Sequence, residues 1–240
     1  MIVVQDYHKL YGETVAVEAL SFTVSPGEIL GLAGPNGAGK TTTLRALAGI
    51  IQPTRGQLSI AGHDVISDAI QAKAALAYVP DDPRLFEKLT VWEHLRFIAS
   101  TYHVEDWEPR AQSLVERLEL TEKKDNLASE LSRGMRQKVA IACGYLHQPK
   151  AILLDEPLTG LDPRGIRTMK DMIRESAEEG SAIIVSSHLL SLLEDLATTV
   201  LIVGKGRLLL HSGLADLREQ VGEDESLEDL FFRLTEQEPE

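Results

Sequence analysis

Hydrophobic residues along the chain gather into short runs that are separated by longer amphipathic stretches. Runs without the polar alternation of a half-exposed strand are typical of sheets that are covered on both faces. Because helical spacing fills the stretches between them, the pattern predicts an α/β layered core. The runs are EILGLAG (28–34), ALAYVP (75–80), AILLDEP (151–157), SAIIVSSH (181–188) and TVLIVGKGRLLLHSG (199–213).

Two regions depart from this pattern. Between Thr90 and Gln148 the spacing is helical only, and it begins with TVWEHLRFIASTY, where Thr90 and Glu93 fit a capping box. The first 30 residues and GQLSIAG (56–62) have turn glycines and predict antiparallel strands. We expect one domain over 1–240, with a core at 1–89 and 149–218, an inserted helical lobe at 90–148 and an acidic helical tail at 219–240.

The tail combines an apolar stripe with strong acidity. Leu227, Leu230, Phe231 and Leu234 recur at helical spacing, opposite an acidic face. Such a stripe indicates docking on the chain's own domain, with docking on a partner as the alternative. Residues 219–240 hold nine acids and one base, which leaves only −5 of the net charge of −13 for the rest.

Composition narrows the class of protein. Hydrophobic residues make up 43% and charged residues 25% of 240 positions, which are ordinary values for a globular domain with a large core. The single cysteine, Cys143, fits a reduced, buried thiol in a cytosolic protein. The acidic balance disfavours nucleic-acid binding. No apolar run approaches the ~20 residues of a membrane helix, and the N-terminus lacks the pattern of an export signal.

The segment GPNGAGKTT joins a strand run to a helix, which is the setting of a phosphate-binding loop. Its glycines let backbone N–H groups converge on phosphate oxygens, and the helix N-terminus adds partial positive charge. Lys40 is expected to reach the β and γ phosphates, and the Thr41 hydroxyl to bind Mg²⁺. The predicted ATP-binding residues of the loop are Gly34, Pro35, Asn36, Gly37, Ala38, Gly39, Lys40, Thr41 and Thr42.

Two further segments carry matching chemistry. AILLDEP ends in adjacent carboxylates, of which Asp155 can hold Mg²⁺ and Glu156 can polarise an attacking water. LSRGMRQK (131–138) is a second anion-binding segment, because Ser132 would cap a helix from Gly134 to Tyr145. A nucleotide on the loop at 34–42 retains one open side, which this second segment is suited to close.

In these motifs the chain resembles the ABC-type ATPases, the nucleotide-binding subunits of ABC transporters, over nearly its whole length. The phosphate loop and AILLDEP match Walker A and Walker B, and LSRGMRQK matches the LSGGQ signature. Tyr11 matches the residue that stacks on adenine, Asp162 in GLDP the D-loop, and His188 in SSH the switch histidine. The resemblance implies a P-loop NTPase fold, in which a RecA-like core carries an antiparallel β subdomain and an inserted α-helical subdomain.

The resemblance also implies the cofactors and the assembly. ATP and Mg²⁺ are bound, and two copies sandwich two ATP head to tail, so that Ser132 and Gly134 of one copy contact the γ-phosphate held by the other. Asp162 is likewise implied at ATP. Catalysis is expected to use Glu156, His188 and Lys40.

Three positions depart from the family pattern. Asp81 in YVPDDP takes the place of the Q-loop glutamine, and it can still ligate Mg²⁺, although it cannot donate a hydrogen bond as an amide does. Within the signature, Arg133 and Met135 replace glycine and glutamine. The Mg²⁺ ligands expected from the chain are therefore Thr41, Asp155 and Asp81.

A chain of this family without a membrane span implies separate integral membrane subunits and a peripheral position on the cytoplasmic face of the cell membrane. Its motifs look more like those of ABC-2 and related exporter-type ATPases than of importers, and Ecs-type ATPases are the most similar pattern. In such complexes a coupling helix lies between the core and the lobe. Leu85 and Phe86 are the candidates to receive it; the alternative is that they anchor their loop onto the lobe.

Three other functions remain open at this point. A single cassette and an acidic composition disfavour an ABC protein of translation or DNA repair. A P-loop kinase would leave LSRGMRQK and SSH without a role. A degenerate cassette that binds nucleotide and only signals is disfavoured by the intact Lys40, Asp155, Glu156 and His188.

Overall fold

The computed structural model describes residues 1–221 and 227–236 of the chain. The described residues form two β-sheets, one of four strands in the order β2-β1-β4-β5 and one of six in the order β10-β9-β3-β8-β7-β6. The strands are β1 (Ile2–Tyr11), β2 (Thr14–Val24), β3 (Ile29–Ala33), β4 (Arg55–Ile60), β5 (His63–Asp64), β6 (Leu76–Val79), β7 (Ala151–Asp155), β8 (Ala182–Ser186), β9 (Thr199–Gly204) and β10 (Arg207–Gly213).

The four-stranded sheet is antiparallel throughout. Ile2 of β1 pairs with Val24 of β2 on one side and with Ile60 of β4 on the other. This arrangement confirms the antiparallel strands that the turn glycines predict for the first 30 residues and for GQLSIAG.

The six-stranded sheet is parallel except at one edge. Strands β3, β6, β7, β8 and β9 pair in parallel, and all residues of β3, β7 and β8 are buried. Alternate residues of β3 enter different cores, since Ile29 packs on one face of the sheet and Leu30 on the other. The unbroken apolar runs thus correspond to a sheet that is covered on both faces.

The prediction that the apolar run at 199–213 is one unbroken strand is wrong. Residues 199–213 form a hairpin of β9 and the antiparallel β10, joined at Lys205 and Gly206, which have φ angles of 42° and 80°. Positive φ at both turn positions is what a two-residue hairpin requires, and glycine supplies it without strain. β10 is at most half-buried, so it does not share the covered position of the other strands.

The helices are α1 (Lys40–Leu47), α2 (Ala69–Ala74), α3 (Val91–Tyr102), α4 (Trp107–Arg117), α5 (Arg133–Leu146), α6 (Pro163–Glu178), α7 (Leu190–Leu196), α8 (Leu214–Val221) and α9 (Leu227–Glu236). The capping box predicted at the start of α3 is confirmed, because Thr90 accepts from Glu93 N and Glu93 accepts from Thr90 N. Among the described residues, no helix is both long and apolar enough to cross a membrane.

The final helix, α9, packs against α7. Leu230 is buried, and Phe231 and Leu234 are half-buried against the core, which confirms docking on the chain's own domain for these three residues. The side chain of Leu227 and residues 222–226 and 237–240 lie outside the described part of the chain. The expected start of the tail at 219 falls inside α8.

Candidate nucleotide site

The carboxyl ends of β3, β7 and β8 meet at one edge of the parallel sheet, and the segment 34–39 begins there. Gly34 lies against the backbone of β9, because a Cβ on it would come within 2.5 Å of Val203 O. Gly39 has a φ of +99° and is the N-cap of α1. Both positions therefore require glycine, which explains the loop's composition in steric terms.

The start of α1 presents donors to the space in front of the loop. The first helical hydrogen bond runs from Thr43 N to Gly39 O at 2.9 Å, so the amides of residues 40–42 precede the helical ladder. The buried Lys40 folds back, and its Nζ donates to Gly34 O at 2.6 Å and Pro35 O at 3.2 Å. Burial lowers the pKa of Lys40, opposed by the charges of Glu156 and Asp155.

A cavity of about 260 Å³ lies on this helix end, and it joins four separate parts of the chain, of which Ala16 of β2 is one. The loop meets Asp81 from the segment after β6, and the adjacent carboxylates after β7. The predicted residues that line the cavity are Asn36, Gly37, Ala38, Gly39, Lys40, Thr41, Thr42, Asp81, Asp155 and Glu156. Gly34 and Pro35 are attached to it through their bonds from Lys40.

Asp155 is almost completely buried at the end of β7, where it is 3% exposed. Its Oδ1 accepts from Ser186 Oγ at 2.6 Å, and its Oδ2 lies 3.5 Å from the Tyr78 hydroxyl. Burial, together with the Asp155 charge, raises the pKa of Tyr78 to about 12, so this hydroxyl stays a donor at neutral pH. Ser186 and Tyr78 are functional neighbours that the sequence motifs did not single out.

Glu156 has a φ of +49°, an uncommon backbone conformation outside glycine. Its carboxylate is held by the residues that follow β8. Oε1 accepts from His188 N at 2.9 Å, while Oε2 lies 2.9 Å from His188 Nδ1 and 3.4 Å from Ser187 Oγ. His188 is 60% exposed and belongs to a second cavity of about 390 Å³ beside α7. The structure thus places His188 directly on Glu156.

The segment LSRGMRQK does not close this cavity. Ser132 caps α5 as predicted, its Oγ accepting from Met135 N at 3.3 Å. Gly134 is pressed against the turn after β7, where a Cβ on it would come within 2.4 Å of Gly160 O. Neither Ser132 nor Gly134 lines the cavity that holds Lys40.

Two other predicted ATP contacts also lie outside the cavity lining. Asp162 caps α6 by accepting from Gly165 N at 3.3 Å, and it pairs with the buried Lys138 at 3.2 Å. The hydrogen bond from Lys138 holds the pKa of Asp162 below its usual value. Tyr11, at the end of β1, is half-exposed, with Lys9 Nζ 4.9 Å from its ring centroid.

The donor set of the cavity fits a magnesium-bound nucleotide. Hydroxyl and carboxylate oxygens from Thr41, Asp155 and Asp81 line it together, and Mg²⁺ prefers such ligands. Among the described residues, no cluster of three His, Cys, Asp or Glu side chains could hold a metal alone.

A phosphate loop at the start of α1, paired carboxylates at the end of β7 and a serine cap on α5 define an ATP-binding cassette. The family profile described as ABC transporter matches residues 17–159. The chain therefore belongs to the ABC transporter family, as an ATP-binding subunit and an ATPase whose hydrolysis is coupled to transport. The P-loop NTPase fold implied by the motifs is confirmed.

Individual relatives agree with this assignment. "ABC-type transporter ATP-binding protein EcsA" of Bacillus subtilis (strain 168) is 33% identical over 238 residues, 98% of this chain and 96% of the relative. "SkfA peptide export ATP-binding protein SkfE" of the same organism is 35% identical over 90% of this chain and 91% of its own. A solved "ATP binding subunit of ABC transporter" superposes with a TM-score of 0.93 at 33% identity, covering 98% and 99% of the two chains. The resemblance to Ecs-type ATPases is thereby confirmed.

Proposed function

We propose that this chain powers an exporter-type ABC transporter at the cytoplasmic face of a membrane, and that two copies enclose two ATP molecules head to tail. One observation carries the dimer: the chain builds a phosphate cavity and a serine-capped signature helix, yet Ser132 and Gly134 do not line that cavity. A second copy can supply the missing side, because each chain has what the other's open site lacks. Export as the direction is supported by the exporter-type motifs and by the name of SkfE.

Lys40 and the helix start bind the phosphates in this proposal. The ammonium exchanges the carbonyls of Gly34 and Pro35 for β and γ phosphate oxygens, which are stronger partners because they are charged. Thr41, Asp155 and Asp81 would hold Mg²⁺, which neutralises charge that develops on the phosphates. Tyr11 would stack on the adenine through its exposed ring.

Glu156 acts as the general base. Its carboxylate lines the cavity and is oriented by His188 N and Nδ1, so it is placed to accept a proton from an attacking water. Nε2 of His188 is proposed to reach the γ-phosphate, because Nδ1 already contacts Glu156. Asp162 is proposed to approach ATP only in the dimer, since in the single chain it is engaged by Lys138.

The dimer is tested with the Glu156→Gln protein, which should keep ATP without hydrolysing it. With ATP and Mg²⁺ we expect a mass of two chains by light scattering, and of one chain without nucleotide. Ser132→Arg, added to Glu156→Gln, should abolish the dimer and leave ATP binding intact, because it obstructs only the surface that faces the second copy. Ser113→Arg, at an exposed position of α4, is the matched control. A single-chain mass in saturating ATP and Mg²⁺ would refute the head-to-tail arrangement.

A groove of about 250 Å³ between the sheet edge and the helical region is the proposed seat of the membrane subunit. Phe86 and Phe97 line it and are 57% and 46% exposed, in edge-to-face contact at 5.3 Å. Leu85 also lines the groove but packs against the core, and Phe86 N donates to His94 Nε2 at 3.0 Å. Each of the two roles considered for these residues thus belongs to a different residue. Leu85 anchors the loop, and Phe86 is the residue proposed to receive the partner.

Phe86→Ser should abolish co-purification of the membrane subunit from detergent-solubilised membranes while the isolated chain hydrolyses ATP at the parent rate. Ile70→Ser, which removes an apolar side chain from α2 that is 82% exposed, should change neither property. Leu85→Ser is expected to lower the melting temperature as well, because its side chain contributes to the core. Loss of ATPase activity in isolated Phe86→Ser would count against a purely partner-binding role.

A further inference from the structure

Two of the three departures from the family motifs, Asp81 and Arg133, contact each other. Arg133 Nη2 lies 3.3 Å from Asp81 Oδ1, across 52 positions of sequence. Asp81 belongs to the rim of the phosphate cavity, and Arg133 is the first residue of α5, next to Ser132. The pair therefore joins the chain's own nucleotide cavity to its signature segment.

The path of the Arg133 side chain is defined by the turn after β7. Its Cγ, Cδ and Nε run past Gly160, where a Cβ would lie 3.8 to 3.9 Å from these atoms. The adjacent Gly134 is held against the carbonyl of the same Gly160. The aliphatic part of the Arg133 side chain thus packs along this turn, and the guanidinium lies at the Asp81 carboxylate.

The Arg133–Asp81 ion pair is better suited to being replaced by another cation than to stabilising the fold. The side chains of Arg133 and Asp81 are 52% and 48% exposed, and exposed ion pairs contribute little to folding. Asp81 also shares its cavity with Thr41 and Asp155, the other proposed Mg²⁺ ligands. A divalent cation there would compete with the Arg133 guanidinium for the Asp81 carboxylate. Either positive group neutralises the carboxylate, and the two positive groups repel each other.

We propose that Arg133 is a positioning residue that competes with Mg²⁺ for Asp81 and thereby lowers the affinity of the nucleotide site for the ion. The inference rests on the proposed function, in which Asp81 faces Mg²⁺. When Mg²⁺ and ATP occupy the cavity, the carboxylate turns to the ion and the guanidinium beside Ser132 is released. Loading of one chain's site thus changes the charge of the segment that serves the other chain's site.

The test measures ATP affinity by equilibrium binding at a series of Mg²⁺ concentrations and in EDTA. Arg133→Gln should lower the Mg²⁺ concentration at half effect about two- to fivefold, the range that an exposed ion pair spans. Asp81→Asn should raise it, and adding Arg133→Gln to Asp81→Asn should change nothing further, since the competed group is gone. Arg133→Lys keeps the charge and should behave like the parent. Arg164→Gln, which breaks the exposed pair with Glu119, is the matched control.

Three outcomes would overturn the proposal. They are an unchanged Mg²⁺ dependence in Arg133→Gln, additive shifts of the two single variants, or an equal change of ATP affinity in EDTA. The last result would mean that Arg133 acts on the shape of the pocket. Failure of the proposed function itself would be seen separately, as absence of Mg²⁺-dependent ATP binding in the parent protein.

Discussion

The starts of α1 and α5 are both equipped for anions, but they are completed in different ways. Gly39 caps α1 without a side-chain bond, and the first amides of α1 open into a cavity that already contains Lys40 and three carboxylates. At α5, Ser132 satisfies the amide of Met135, and the turn lies outside that cavity. The first site is assembled by one chain, whereas the second is proposed to gain its ligand only from another copy.

This contrast separates two kinds of residue. Residues of the cavity should affect nucleotide binding or chemistry in any state of assembly. Ser132 and Gly134 of the α5 turn should affect only dimerisation and turnover, since turnover is proposed to require the closed dimer. Arg133 differs from these two residues, because it contacts Asp81 of the cavity.

The largest effect is expected for Glu156→Gln. Loss of a general base typically costs about 100-fold or more in rate, and the amide cannot take the proton from water. ATP turnover should therefore fall by at least ~100-fold, while ATP affinity remains near that of the parent. Steady-state phosphate release and equilibrium ATP binding measure the two quantities. The exposed Glu122→Gln is the control, and turnover at the parent rate in Glu156→Gln would remove Glu156 from the role of base.

An intermediate effect is expected for Gly134→Ala. A methyl group there would meet Gly160 O at 2.4 Å, so the signature turn must shift, with an overpacking cost of about 1–3 kcal/mol. Turnover should fall about tenfold. Binding of ATP to the single chain, measured by fluorescence at low protein concentration, should stay unchanged. Gly180→Ala is a poor comparison because of its positive φ. Gly144→Ala serves as the helical control, because a Cβ there would meet only side-chain atoms, the nearest being Val79 Cγ2 at 3.3 Å. Weaker single-chain ATP binding in Gly134→Ala would contradict the division between the two sites.

The smallest effect is expected for Tyr11→Ala. Stacking of one base on an aromatic ring contributes about 1–3 kcal/mol, and the ring here is half-exposed, so ATP affinity should fall by tenfold or less. Tyr11→Phe should bind ATP like the parent, because the ring is kept. If Tyr11 also discriminates between bases, GTP should compete with ATP more strongly in Tyr11→Ala than in the parent protein. Unaltered ATP affinity in Tyr11→Ala would place the adenine elsewhere.

The parts of the fold that the sequence predicts are those encoded in contiguous residues. The phosphate loop, the Thr90 capping box and the Ser132 cap each depend on neighbours within four positions, so their patterns can be read directly. The hairpin at Lys205 was missed because apolar residues continue on both sides of its turn. Tertiary packing brings together the segments that form the ion pairs Arg133–Asp81 and Lys138–Asp162. No local sequence pattern predicts these two pairs.

The close approach of Gly134 to the carbonyl of Gly160 limits how near the start of α5 can come to the turn after β7. Contacts through long side chains can yield by changing rotamer, but two backbones in direct touch cannot be compressed. The signature turn therefore cannot come closer to the turn that carries Glu156 than it lies here. The spacing between these two turns is thus fixed by main-chain atoms, and changes of side-chain rotamer cannot shorten it.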